Sequence, residues 1–286
     1  MQSLEPNLTR RAAFAALAAA GPVLASAGAA QAQAQAQAIT DVDIFNFALN
    51  LEYVEAEYYN RAVYGQTLSA EDVGPNPGPV NGGRRVNFAT PLIRTFAEEL
   101  AYNELAHVRL YRRVLGPAAV SRPTIDLAGA FAAAGRAAGI PNFDPFADEV
   151  SFLLGGLLIE DVGVTAYKGA APLIQSKANL AIASSVLAAE AYHMGMARSV
   201  LYRSGQRARN AANAISNARD QLDSPADKDQ GIVLDGRANV VPTDANGIAF
   251  SRTPQEVLRI VYLTPQAGVS GGGFLPQGAN GTIRTT

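Results

Sequence analysis

The chain of 286 residues contains no cysteine and no tryptophan. Without cysteine there are no disulfide scaffolds, thiolate zinc sites, cysteine-held iron–sulfur clusters or thiol catalysis. There are only two histidines, so any imidazole chemistry falls to His107, His193 or both. Charge is scarce too, at 17% of residues with a net of −2. Lysine is limited to Lys168, Lys177 and Lys228, with all other basic residues arginine. No basic stripe or lysine-rich tail is present, which excludes a nucleic-acid groove. Beyond the N-terminus no apolar run approaches the roughly 20 residues of a membrane span, and no useful length of alternating strand pattern appears in the central region.

Residues 1–38 read as an address label. Thr9-Arg10-Arg11 precedes a mildly apolar run from Ala12 to Leu24, then small residues, then an Ala-Gln repeat to Ala38. A positive segment, an apolar segment and A-x-A sites are the layout of an export signal, and the paired arginines resemble a twin-arginine signal. The expected mature protein is exported, periplasmic or extracellular, with no stable membrane span.

Four long helices are expected next. The first, about 41–64, carries Phe45, Ala48, Leu49, Glu52, Ala56 and Tyr59 on one face. The second opens with Thr90 as N-cap and Pro91 at the first helical position. It ends at Gly116-Pro117, and its stripe includes Leu100, Glu104, His107, Tyr111 and Val114. The third, opening at Asp144-Pro145, has Leu153, Gly156, Leu157, Glu160, Val164 and Tyr167. The fourth, about 177–202, has Ile182, Val186, Glu190, His193, Ala197 and Val200. The long connection from Pro117 to Asp144 has room for a short helix over 126–138. The fold class is therefore all-α: a four-helix bundle with one long crossover over 39–205. A C-terminal appendage over 206–286 follows, helical in its first part and extended over 223–252. Thr253-Pro254-Gln255-Glu256 has capping-box spacing before a further short helix.

Carboxylates interrupt the apolar stripes. Glu104-Leu-Ala-His107 and Glu190-Ala-Tyr-His193 repeat one spacing. With 12 Glu in 286 residues, chance would give both histidines this partner roughly two times in a thousand. Positions i and i+3 share a helix face, so each pair aims a carboxylate and an imidazole at one point. The other two helices add Glu52 and Glu160, with Glu55 an alternative to Glu52 on the same face. A buried carboxylate is costly unless paired or metal-bound. Four of them supply −4, which two divalent cations cancel, and neutral imidazoles complete the shell. Iron or manganese suits such ligands better than calcium or copper, and one Glu from each of two helices plus two Glu-x-x-His motifs is a known dinuclear ligand set. Tyr111, Tyr167 and Tyr192 are candidates for groups surrounding the ligands. Asp161, off the stripe, reads as a surrounding or surface group.

Asn50-Leu51-Glu52, Asn103-Glu104-Leu105-Ala106-His107 and Glu160-Asp161-Val162-Gly163-Val164 resemble the ferritin-like domain family of exported bacterial proteins. Arg252-Thr253-Pro254-Gln255-Glu256-Val257-Leu258 and Gly272-Gly273-Phe274 are similar to the C-terminal segment of plant desiccation-related proteins in that family. The resemblance implies a ferritin-like bundle whose di-iron or di-manganese centre is held by Glu52, Glu104, His107, Glu160, Glu190 and His193. It also implies a small oxidant, oxygen or peroxide, as reaction partner. The expected roles are redox or metal-handling chemistry under oxidative or desiccation stress, or alternatively a non-catalytic protective scaffold. A homodimer is compatible with such a bundle. An iron-storage shell fits poorly with the C-terminal appendage.

Overall fold

The computed structural model describes residues 39–223 and 226–286; the export-signal reading of residues 1–38 lies outside them. The described residues are mostly helical. Helix α1 (Asp41–Tyr64) is followed by α2 (Pro91–Leu115), α3 (Leu127–Ala137), α4 (Glu149–Ala170), α5 (Lys177–Arg203), α6 (Gln206–Asp223) and α7 (Pro254–Val261). Two short strand pairs complete the inventory. Val80–Asn81 (β1) lies parallel to Ile125–Asp126 (β2), and Val233–Leu234 (β3) lies antiparallel to Arg237–Ala238 (β4).

Helices α1, α2, α4 and α5 form the bundle. The pairs α1–α2 and α4–α5 each run antiparallel: the start of α1 meets the segment just past α2 through Asn46 and the Ala118 carbonyl. Tyr58, late in α1, donates to the Phe152 carbonyl early in α4 at 2.7 Å, so these two also run antiparallel. Asp41 accepts from the Gln175 and Ser176 amides at the start of α5, placing α1 and α5 parallel. The long stretch from α2 to α4, containing α3, is the single crossover.

Local chemistry explains most boundaries. Thr40 and Asp43 form a capping box on α1, and Gly65 stops it in the left-handed region at φ 71°. Two starts differ from the sequence reading. Thr90 is the N-cap of α2, but its side chain does not cap. Glu149, from α4, instead accepts from the Ala89 and Thr90 amides at 3.0 and 2.9 Å. Helix α4 opens at Glu149 with Asp148 as cap, four residues after the Asp144-Pro145 expected. The Asp144 carboxylate turns back onto the Phe146 amide, a local bond that competes with helix formation.

Helix α4 also corrects the expectation about apolar runs. With the 171–173 turn it is long and apolar enough to cross a membrane, yet 83% of its most apolar stretch is buried within the protein. It is the core helix. Glycine lets it sit there: a Cβ at Gly156 would stand 2.9 Å from Tyr59 Oη. The cost of glycine in a helix interior, about 1 kcal/mol, is offset by this close approach of α1.

The C-terminal residues join the same core as the bundle. Val257, Leu258, Ile260, Phe274 and Leu275 are buried with it, and Phe274 meets Phe131 of α3 edge-on at 4.9 Å. Asn50, mid-α1, exchanges two hydrogen bonds with the Asn280 backbone, both 2.8 Å.

Candidate metal centre

Glu52 from α1, Glu104 and His107 from α2, Glu160 from α4, and Glu190 and His193 from α5 converge in the middle of the bundle. They make two overlapping groups, Glu52–Glu104–His107–Glu190 and Glu104–Glu160–Glu190–His193. Within each group one candidate ligand atom per residue lies within 4.8 Å of all the others. Glu104 and Glu190, the carboxylates of the two Glu-x-x-His motifs, belong to both. Glu52 and Glu160 each belong to one, as do the histidines.

The imidazoles aim Nδ1 inward. His107 Nδ1 lies 3.3 Å from Glu52, 3.4 Å from Glu104 and 3.5 Å from Glu190. His193 Nδ1 lies 3.1 Å from Glu104 and 3.4 Å from Glu160. None of these approaches has hydrogen-bond geometry. Nine buried atoms of the six residues have no partner: Glu52 Oε2, both oxygens of Glu104, Glu160 and Glu190, and Nδ1 of both histidines. Buried polar atoms in proteins are overwhelmingly satisfied, so nine orphans in two overlapping groups are a donor set that could hold metal. Carboxylate and imidazole donors of this kind could hold a metal ion.

The electrostatics agree. Burial pushes Glu52 up to about 7, with His107 pulling against it. Burial and then the neighbouring carboxylates hold Glu190 and Glu55 well above the usual range. For Glu104, burial is outweighed by the two flanking histidines, and its pKa falls. Burial also opposes protonation of His193, yet Glu104 and Glu160 raise it to about 11; His107 is raised for the same kind of reason. Without cations, the cluster limits its own repulsion by retaining protons.

The surrounding groups sort differently from the sequence reading. Tyr167 Oη donates a short hydrogen bond to Glu52 Oε1 and stacks on Tyr111 at 6.3 Å. Tyr111 Oη is itself buried without a partner. Tyr192 is 81% exposed and is corrected: adjacent to His193, it points about 100° round the helix from it. Glu55 is buried beside the cluster but belongs to neither four-residue group. Glu57 turns away to Arg61 and Arg122.

The ferritin-like domain profile matches residues 40–203. The chain belongs to the ferritin-like domain family. It is 29% identical over 266 residues to the ferritin-like catalase Nec2 of Nesocodon mauritianus, covering 85% of this chain and 84% of that one. It is 32% identical over 244 residues to the desiccation-related protein PCC13-62 of Craterostigma plantagineum, covering 77% and 76%. No solved structure matches the chain significantly.

Three features of this ferritin-like centre escaped the stripe reading. Asn103 Nδ2 lies 3.1 Å from His193 Nε2; its place beside Glu104 was the available signal. Tyr59 is buried, its hydroxyl pushed up by burial and then by Glu160. It stood on the Glu52 face, read there as packing. Asp161 is not at the surface, and its carboxylate pairs with arginines rather than with the ligands. It is buried between Arg198 and Arg219, at 2.8 and 2.9 Å.

Proposed function

We propose that this ferritin-like protein is a dinuclear iron or manganese enzyme that disproportionates hydrogen peroxide to water and dioxygen. The observation that carries the reading is the set of nine orphaned donor atoms, arranged as two overlapping groups that share Glu104 and Glu190. The catalase named among its relatives, similar over 85% of this chain, supports the choice of reaction. A pair of redox-active cations held there would supply two-electron chemistry, reducing one peroxide and oxidising the next.

The chain's own residues do the rest. Glu104 and Glu190 set the spacing of the two positions, while Glu52 and Glu160 close the ends. Tyr167 donates a hydrogen bond to Glu52 Oε1, which leaves Oε2 free to ligate and fixes the carboxylate's orientation. The Asn103 side-chain amide lies against the far nitrogen of the His193 ring, where its oxygen could accept the Nε2–H of a ring ligating through Nδ1. The stripes around the centre exclude bulk water, which strengthens each electrostatic contact. The same reading puts the protein outside the cytoplasm, supported by Arg10-Arg11 and the Ala-rich run after it.

The test is metal analysis of the purified protein after iron or manganese loading, with oxygen evolution from peroxide. Two metals per chain and turnover that disappears in Glu104→Ala/His107→Ala are expected. Fewer than about one metal per chain defeats the reading. The similarity to the desiccation-related protein favours a second reading, a protective scaffold with structural metal. Under it, the same double variant keeps its protective effect in dried cells.

A further inference from the structure

A small cavity of about 30 Å³ lies where α1, α4 and α7 meet. Val54 and Glu55 line it from α1, Leu158 and Gly163 from α4, Ile260 from α7, and Phe274 from the segment beyond. It has room for about two molecules the size of water. Apart from Glu55 every side chain in its lining is apolar.

Its inner wall is Gly163. A Cβ on Gly163 would stand 3.1 Å from Glu190 Oε2 and 3.4 Å from Glu55 Oε1. One carboxylate is a shared member of both ligand groups; the other belongs to the cavity. The bare Cα of Gly163 is thus where the cavity and the centre come closest, and any side chain would close the gap. Helix α4 keeps a glycine there despite its helix penalty.

We propose that this cavity is the binding and access site for the small oxidant, with Glu55 as the polar group that holds it and Gly163 as the doorway. The inference rests on the redox reading given above. The chemistry selects the ligand class. So small a space favours a small molecule over a bulky organic substrate. The apolar wall disfavours an ion, which would lose its hydration with little in return. A neutral molecule of two heavy atoms, hydrogen peroxide or dioxygen, fits both limits, and Glu55 offers peroxide a hydrogen-bonding partner one step from the ligands. The C-terminal segment thereby acquires a role: α7 and Phe274 form the outer wall.

Xenon and peroxide test this in the full chain. Crystals pressurised with xenon should show an atom in the cavity against Gly163 and Ile260. Ile260→Phe, on α7 and outside both ligand groups, should exclude xenon. In the metal-loaded protein, at unchanged metal content, it should lower the second-order rate with peroxide about tenfold, within the range over which association rates move among variants of one site. Leu92→Phe, exposed at the start of α2 and outside the cavity lining, should hold xenon and show no such fall. Absence of xenon from the wild-type cavity overturns the proposal, as does an unchanged rate in Ile260→Phe or an equal loss in both variants. If the wild type takes up metal but does not consume peroxide or oxygen, the proposed reaction fails, while the xenon map still judges the cavity.

Discussion

Glu160 and Asp161 are adjacent on α4, both buried, and they face two opposite solutions to the same problem. Glu160 joins three other carboxylates and two imidazoles, a set with nine buried atoms that have no partners. Asp161 joins a second charged cluster behind it, with Arg198, Arg219, Asp229, Arg252 and Asp223. Those six residues set three carboxylates against three guanidiniums, with Asp220 beside Asp223 and Asp229 at the edge of the cluster. Only Arg219 Nε and Asp223 Oδ1 in it lack a partner. Arg252 also binds the Thr165 hydroxyl at 2.8 Å, which ties the C-terminal segment to α4. Burial alone thus does not mark a functional site. What separates the two clusters is whether the protein supplies the opposite charge itself. Where it does, the cluster is architecture; where it leaves nine donors without partners, the set could hold an external cation, as proposed above.

The sharpest way to break this contrast is to remove metal. Ligands present at a thousandfold over their Kd stabilise the native state by about 4 kcal/mol each. Chelation should therefore lower the thermal midpoint markedly, and refilling with iron or manganese should restore it. A midpoint indifferent to chelator would make the Glu160 cluster as self-sufficient as its neighbour.

Single substitutions should then diverge in sign. Asp161→Ala strands Arg198 and Arg219 in the interior and should cost about 3–5 kcal/mol by urea unfolding. Glu190→Gln in the metal-free protein removes a carboxyl that burial and its carboxylate neighbours already hold well above the usual range, and should cost less than about 1 kcal/mol or stabilise, while abolishing stoichiometric metal binding. Equal losses in the two variants would erase the distinction.

The clusters also differ in pH response. For the metal-free protein, Glu52 has its folded pKa raised from 4.5 to about 7. The native state then binds more protons than the unfolded one between those values, so stability falls as pH rises through that window, by about 3 kcal/mol for the full shift. His193, raised from 6.5 to about 11, contributes stability that is complete below 6.5 and lost towards 11. Asp161 works the other way: burial is outweighed by Arg198 and Arg219, its pKa is lowered, and its contribution is lost in acid. With metal bound, protons compete for the ligands, and acid should release the cations. Urea midpoints across pH 5–8, with and without chelator, should slope in opposite directions.

These contrasts mark how far the sequence could be read. The four helices and the six inward-facing residues were legible because a charged side chain inside a period-3.6 apolar stripe is conspicuous, and the two Glu-x-x-His spacings compound. Asp161 was not legible, because its partners Arg198, Arg219, Arg252, Asp223 and Asp229 lie up to 91 residues away and no local spacing links them. The opening of α4 was misplaced because Asp144-Pro145 carries a valid start signal that a local turn uses instead. Capping of α2 by Glu149 is equally a long-range event.

The smallest contrast is between two tyrosines that sequence alone treated alike. Tyr167 and Tyr192 both lie on helices beside ligands, yet one donates to Glu52 and the other is 81% exposed. Tyr167→Phe keeps the ring, its stacking on Tyr111 and the packing, and deletes only the hydroxyl that orients Glu52. Loss of such an orienting bond typically lowers metal affinity about 10- to 100-fold, so titration should show one weakened site, with the unfolding midpoint of the metal-free protein nearly unchanged. Tyr192→Phe should leave both sites at wild-type affinity, since its hydroxyl faces solvent. If the two variants bind metal equally well, the Tyr167 bond positions nothing, and Glu52 is held by the bundle alone.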